Sequence, residues 1–309
     1  MNLELFVLGT GGMMPLPGRF LTSVLLRREG ELFLFDSGEG TQVSLRNLNL
    51  KWKKISSIFI SHTHADHVTG LPGILMLSSQ VERDEPLYIF GPPKIKEYVE
   101  MNKKVLDMYI NYEIIVKEIT GPETVYRGAD FSINAYPLQH TKPCLGYSLV
   151  EDDRSGVFYP ENAIALDVPM GPLWADLQKG KDITLRNGKI VKASDVMGSP
   201  RKGRKVSFIT DTQYFSEISD FVKNSDLLIC EGMFKADLED SARKKKHMTS
   251  TQAAQLTADA GGVKKMGLIH YSPRYTKYEL KGLLEEAKVI FPNTFLTRDG
   301  QRIDIPYVD

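Results

Sequence analysis

The chain has 309 residues, 42% of them hydrophobic and 25% charged, which is enough to bury a large core and excludes a disordered, collagen-like or coiled-coil protein. Lys plus Arg and Asp plus Glu number 39 each, so the formal net charge is zero and any polyanion must be met by a local basic patch. Two cysteines, Cys144 and Cys230, cannot build a disulfide framework and point to a reducing compartment.

The first residues, 1–8, have no basic run before their apolar stretch and lead into a Gly-rich turn, which argues against a secretory signal. No apolar stretch approaches the roughly 20 residues that span a bilayer, and a cytoplasmic protein is expected. Strands are predicted over residues 3–8, 23–26, 32–35, 57–60, 87–90, 131–136, 207–209, 227–229 and 266–269. Helical periodicity is predicted over 70–79, 94–103, 250–260 and 279–289. Glu29-Gly30 turns a hairpin between the second and third strands. The alternation is that of an α/β fold. Residues 151–204 differ in texture: Gly156, Pro160, Pro169, Gly171-Pro172, Gly180 and Gly188 interrupt them, with Lys and Arg scattered between, so they read as an arm inserted into the second half of the sheet structure.

Polar residues collect at strand ends: Asp36 after Leu32-Phe33-Leu34-Phe35, His62 after Ile58-Phe59-Ile60, Asp211 after Phe208-Ile209, and His270 after Leu268-Ile269. Strand ends are where α/β sheets assemble active sites. The sharpest signal is Ser61-His62-Thr63-His64-Ala65-Asp66-His67. In extended chain, side chains two apart point the same way, so His62 and His64 can clamp one cation; Asp66 and His67 then turn toward an adjacent one as a helix begins. Only six histidines occur, and His140 and His270 also follow apolar runs. A lone histidine is more often a packed or solvated group than a ligand, but five placed in this way reverse those odds. One site is then His62, His64 and His140, the other Asp66, His67 and His270. Asp211 joins them, because a carboxylate can bridge two cations about 3.5–4 Å apart, the separation at which a shared hydroxide becomes a nucleophile at neutral pH. The donor set suits two zinc ions per subunit, with manganese the alternative where carboxylate is plentiful.

The string, the later His140, Asp211 and His270 resemble the metallo-β-lactamase superfamily and, within it, the ribonuclease Z family of tRNA 3′-processing endonucleases. The resemblance covers nearly the whole chain: Leu8-Gly9-Thr10-Gly11-Gly12 with Pro15 and Arg19, Phe35-Asp36-Ser37-Gly38-Glu39-Gly40-Thr41-Gln42, His67-Val68-Thr69-Gly70-Leu71-Pro72-Gly73, His247-Met248-Thr249-Ser250 and Ser272-Pro273-Arg274-Tyr275. It implies an αββα sandwich over residues 1–309, with 151–204 as the exosite arm that grips precursor tRNA through Gly171 and Pro172. It also implies dimetal-hydroxide attack on the phosphodiester and a tRNA left with a 3′-hydroxyl. In that mechanism Asp66 and His247 are catalytic, with Glu231 orienting His247, and Arg274 clamps a phosphate. A homodimer is expected by the same analogy. Two blocks depart from the family pattern: Cys230-Glu231-Gly232-Met233 stands where His-Glu-Ala-Thr is usual, and Phe20 stands where an Asn commonly follows the loop arginine. Arg243-Lys244-Lys245-Lys246 and Arg201, Lys202, Arg204 and Lys205 are further candidates for phosphate contact.

Two rival readings are a dimetal hydrolase of a small-molecule ester and a non-catalytic RNA-binding relative. A small substrate has no need of the inserted arm, and a relative that had lost catalysis is expected to have lost a ligand. A di-iron redox centre is disfavoured because Thr63 and His64 stand where a Glu two positions after His62 is wanted.

Overall fold

Along the first strand, β1 (Leu3–Gly9), Leu3, Leu5 and Val7 enter one core while Phe6 and Leu8 enter another, so this strand is buried on both faces. The computed structural model describes residues 2–81 and 83–307, and the alternation repeats through them; Met1 of the opening run lies outside the described residues. The first half continues with β2 (Ser23–Arg28), β3 (Glu31–Phe35), β4 (Ile55–Phe59), β5 (Leu87–Gly91) and β6 (Ile114–Glu118). The second half is built from β7 (Glu123–Arg127), β8 (Phe131–Gln139), β9 (Pro143–Glu151), β10 (Ile183–Thr184), β11 (Ile190–Val191), β12 (Lys205–Ile209), β13 (Leu227–Glu231), β14 (Met266–Ile269) and β15 (Thr294–Leu296); the last strand, β16 (Arg302–Asp304), returns to the first sheet. The two large sheets have the orders β16-β1-β2-β3-β4-β5-β6 and β15-β14-β13-β12-β9-β8-β7. Each follows one plan, four parallel strands (β3 to β6, and β12 to β15) extended by antiparallel ones.

The inward faces meet in a shared core where Phe35, Phe59 and Phe90 stack at 5.0 and 5.1 Å and Phe208 and Tyr147 reach them from the other sheet. Outside the first sheet lie helices Thr41–Asn47, Leu71–Gln80 and Ile95–Val105, and outside the second Glu217–Val222, Ser250–Ala260 and Leu280–Ile290. This is the αββα sandwich of the metallo-β-lactamase fold. Among the described residues no helix is long and apolar enough to cross a membrane.

The hairpin at Glu29-Gly30 is present, with φ of 48° and 92° in the turn and β2 antiparallel to β3. Five strands of the two large sheets escape the periodicity reading, as do the two-residue strands β10 and β11. Four of them, β6, β7, β15 and β16, are the sheet edges, where one side of the ladder faces solvent and charged residues such as Lys117, Glu123 and Arg302 break the apolar run. The fifth, β9, opens on Pro143 and Cys144. The helices missed, such as Thr41–Asn47 and Glu217–Val222, are two turns or shorter, too brief to display a 3.6-residue period.

The chain divides into two compact units, residues to 150 with 205–306, and residues 151–204 with Tyr307. The second unit has its own secondary structure: helices Pro160–Ala165, Pro172–Gln178 and Ala193–Val196, and the β10–β11 hairpin. They enclose a small core of Ala163, Val168, Leu177, Ile183, Val191 and Val196.

Candidate metal centre

Most polar residues of the site stand at strand ends. Asp36 follows β3, Ser61 and His62 follow β4, His140 follows β8, Asp211 follows β12, Glu231 ends β13 and His270 follows β14. His64 is the N-cap of the short helix Ala65–Val68, which carries Asp66 and His67 in its first turn. Asp36 and His270 take φ of 54° and 63°, left-handed values that few non-glycine residues adopt, and both bend a strand end into the site. Gly12 permits the opening loop to approach: a Cβ there would lie 2.5 Å from His270 Nε2.

Two separate ligand sets result, and a third group, Asp211, His247 and His270, overlaps them. His62, His64, His140 and Asp211 form one, Asp66, His67 and His270 the other, with donor atoms of each set within 4.8 Å of one another. The Asp211 carboxylate is divided between them. Its Oδ1 lies 3.3 Å from both His67 Nε2 and His270 Nε2, and its Oδ2 lies 3.5 Å from His62 Nε2 and 3.8 Å from His140 Nε2. His64 Nδ1 stands 2.8 Å from His62 Nε2 and 3.2 Å from His140 Nε2. Asp66 Oδ2 is 3.7 Å from His67 Nε2 and 3.9 Å from His270 Nε2.

The hydrogen bonds behind the imidazoles determine which nitrogen carries the proton. His67 Nδ1 donates to Asp36 Oδ2 at 2.7 Å, and His140 Nδ1 donates to the Lys246 carbonyl at 2.9 Å. Thr22 Oγ1 gives its proton to the Gly11 carbonyl, so it accepts from His270 Nδ1 at 2.8 Å. Ser61 Oγ gives its proton to Asp36 Oδ2, so it accepts from His62 Nδ1 at 3.0 Å. Each of the four rings, when neutral, therefore aims an unprotonated Nε2 at the Asp211 carboxylate, a cluster of acceptors facing acceptors. His67 Nε2 and His270 Nε2 are buried there without a hydrogen-bond partner. Cations satisfy this arrangement; polar protein groups do not.

The protonation equilibria agree for His62, His64 and His270 and diverge for His67, which in the absence of a cation is drawn to the charged form by the two carboxylates beside it. Burial holds His62 well below the usual histidine range, aided by His67, and burial with the charge of His140 pulls His64 down to about 4. Burial also lowers His270. For His67, burial opposes the charge, but Asp211 and Asp36 outweigh it and push the ring well above the usual range. Burial would raise Asp211, yet the imidazoles of His270, His67 and His62 hold it well below the usual carboxylate range.

His247 stands beside the two sets and differs from their members. Its Nδ1 faces Glu231 Oε2 at 3.0 Å, so Nε2 is the nitrogen left for other business. Burial works against its charge, but Glu231 and Asp211 raise it to about 9. Glu231 is itself fully buried and held by the Thr212 amide on Oε1 at 2.5 Å. Both cysteines are buried, and burial pushes both thiols far up; Cys144 Sγ lies 3.7 Å from His62 Nδ1.

A family model described as a beta-lactamase superfamily domain matches residues 175–271, and one described as anti-Pycsar protein Apyc1 matches residues 3–159. The ribonuclease Z of Treponema denticola is 63% identical over 309 residues, covering all of both chains. That of Borreliella burgdorferi is 47% identical over 312 residues, covering 98% of this chain and 97% of its own. This chain belongs to the ribonuclease Z family. It is accordingly a hydrolase of the endoribonuclease class. The crystal structure of the short form of human tRNase Z superimposes with a TM-score of 0.72 at 25% identity, covering 98% of this chain and 99% of the other. The metallo-β-lactamase fold protein YhfI of Bacillus subtilis has a TM-score of 0.69 at 18% identity, covering 98% and 100%, and shares the fold.

The remaining residues singled out from the ribonuclease Z pattern have varied surroundings. Arg274 is exposed, with Nε donating to Ser272 Oγ at 3.2 Å and its guanidinium 5.1 Å above the Phe234 ring. Gly171 and Pro172 are exposed in the second unit, Gly171 as N-cap of helix Pro172–Gln178. The family departures are packing positions: Cys230 and Met233 are buried in apolar clusters, and a Cβ at Gly232 would lie 2.8 Å from Leu268 Cδ2. Phe20 sends its amide to Asp299 Oδ2 and its ring over Gly40. Most of the basic residues named for phosphate contact already have partners: Lys202 pairs with Asp153, Arg243 with Asp240, the Arg201 guanidinium donates to the Ser155 carbonyl and the Lys246 ammonium to that of His140. Arg204 is buried in an ion pair with Glu151, and the Lys205 ammonium is held by the carbonyls of Phe221 and Lys223. Thr22, the Met13 amide that donates to Asp66 Oδ2, and the Lys246 carbonyl were not found from the sequence, and only tertiary approach brings them in.

Proposed function

We propose that this chain removes the 3′ trailer from precursor tRNA in the cytoplasm, as a homodimer whose subunits each use two zinc ions. The observation that carries the reading is the Asp211 carboxylate, whose two oxygens serve two separate histidine sets. Zinc, or manganese in its place, would be held by His62, His64, His140 and Asp211 on one side and by Asp66, His67, His270 and Asp211 on the other, and would supply charge neutralisation and an activated water.

The chain's own groups do the rest. Asp66, fixed by the Met13 amide at 2.7 Å, orients the attacking water. The water gives up a proton to the Asp66 carboxylate as the water oxygen bonds to phosphorus, while the bond from phosphorus to the tRNA O3′ breaks. The departing O3′ takes a proton from His247 Nε2, and Glu231 holds the ring for that transfer. The products are a tRNA with a free 3′-hydroxyl and a trailer with a 5′-phosphate. Residues 151–204, with Gly171 and Pro172 exposed at a helix start, grip the tRNA, and Arg274 clamps a phosphate near the cut.

Incubating the purified protein with an unprocessed tRNA transcript and mapping both new ends tests this. A cut at the discriminator nucleotide with a 3′-hydroxyl is the expected result. Hydrolysis of a small bis-aryl phosphodiester with no cut in the transcript would replace the reading with a small-molecule phosphodiesterase.

A further inference from the structure

Residues 151–204 close on themselves through a short ladder. The Glu151 amide donates to the Arg204 carbonyl at 2.9 Å, and Arg154 and Arg201 exchange backbone bonds of 2.7 and 2.9 Å. Between these pairs sits Gly203, where a Cβ would lie 2.3 Å from the Glu151 carbonyl oxygen. The ladder is thus narrow and turns on a residue without a side chain.

Side chains reinforce it. The Glu151 carboxylate accepts from the Arg204 amide at 3.1 Å, from Nε at 2.9 Å and from Nη2 at 2.8 Å, and both side chains are almost fully buried. A buried ion pair of this kind is costly to desolvate and needs partners on all sides. One comes from far along the chain. The guanidinium carbons of Arg204 and Arg154 lie 3.9 and 3.6 Å from the centre of the Tyr307 ring. A single aromatic ring therefore receives a cation from each end of the segment, Arg154 near its start and Arg204 at its close.

We propose that Tyr307 is a positioning residue for the tRNA reaction: stacked on Arg154 and Arg204, it fastens the two ends of segment 151–204 to each other, so that the segment meets precursor tRNA as a set surface. The inference rests on the reading of that segment as the tRNA grip. It assigns the ring no contact with RNA and no part in the chemistry. The stacked ring does the fastening and the hydroxyl only adds a hydrogen bond to the Glu151 carboxylate, so Tyr307→Phe is expected to serve and Tyr307→Ala to fail.

The test uses the full-length, metal-loaded enzyme. Tyr307→Ala is expected to raise KM for precursor tRNA roughly tenfold, the scale of losing two cation–π contacts, with kcat within about twofold of the parent. Hydrolysis of bis-aryl phosphodiester should be unchanged, and Tyr307→Phe should restore the parental KM. Trypsin should nick within 151–204 faster in Tyr307→Ala than in Tyr307→Phe. Equal nicking rates, or equal losses on both substrates, overturn the fastening role. The segment's own role is tested apart, by deleting residues 155–199. A raised KM in the deletion with a normal KM in Tyr307→Ala refutes the clamp and keeps the grip, whereas a normal KM in the deletion refutes both.

Discussion

The two halves of the sandwich follow one topological plan but equip the site in opposite ways. The first half delivers His62, His64, Asp66 and His67 from the stretch that leaves β4 and enters the helix Ala65–Val68. The second half delivers one residue per strand end: His140, Asp211, Glu231 and His270, with His247 from a loop. A contiguous donor string is set by local geometry, since extended spacing and a helix start suffice to aim it. A dispersed set depends on the whole second sheet being in register. Local changes should therefore cripple the first half's share cleanly, while the second half's share should be more sensitive to packing.

The largest effect is expected where the two halves meet. Asp211→Ala removes the carboxylate both sets share, and activity should fall below detection with both ions lost by atomic emission analysis. His64→Ala should likewise abolish metal-dependent cleavage in a protein whose circular dichroism is unchanged; full activity in that variant would sink the ligand assignment. Next comes Glu231→Gln, which leaves both ligand sets intact but loosens His247. Its kcat should drop roughly a hundredfold or more at unchanged metal content, the range for a mispositioned general acid.

Thr22→Val tests whether the second half's dispersed ligands need their backing. Losing the acceptor for His270 Nδ1 should weaken metal affinity about 10- to 100-fold, with activity recovered at high metal concentration. The smallest effect on turnover is expected at Cys230→Ser, which puts a hydroxyl into an apolar cluster and should cost about 1–3 kcal/mol of stability in chemical denaturation while leaving kcat within about twofold.

The same contrast governs what could be read before the fold was known. The string was legible because its period-2 histidines follow an apolar strand within a few positions. Asp211, His140 and His270 were legible as polar residues closing apolar runs. Thr22 and the Lys246 carbonyl were not, because a hydroxyl in a strand approach or a main-chain oxygen has no signature until folding brings an imidazole to it. Arg204 looked like a surface cation since its partner, Glu151, lies across the whole inserted segment. The sheet edges hid for a related reason: exposure on one side dilutes the apolar alternation that marks a strand.

The sealed-off thiols have a practical use. Cys144 and Cys230 are shielded from solvent and far from the thiolate form, so a maleimide reagent should leave the native protein unlabelled. One cysteine introduced at an exposed position such as Ile164 or Met170 would then be the sole handle for a fluorophore. Such a probe would report directly, at equilibrium and without turnover, whether RNA arrives at the inserted segment.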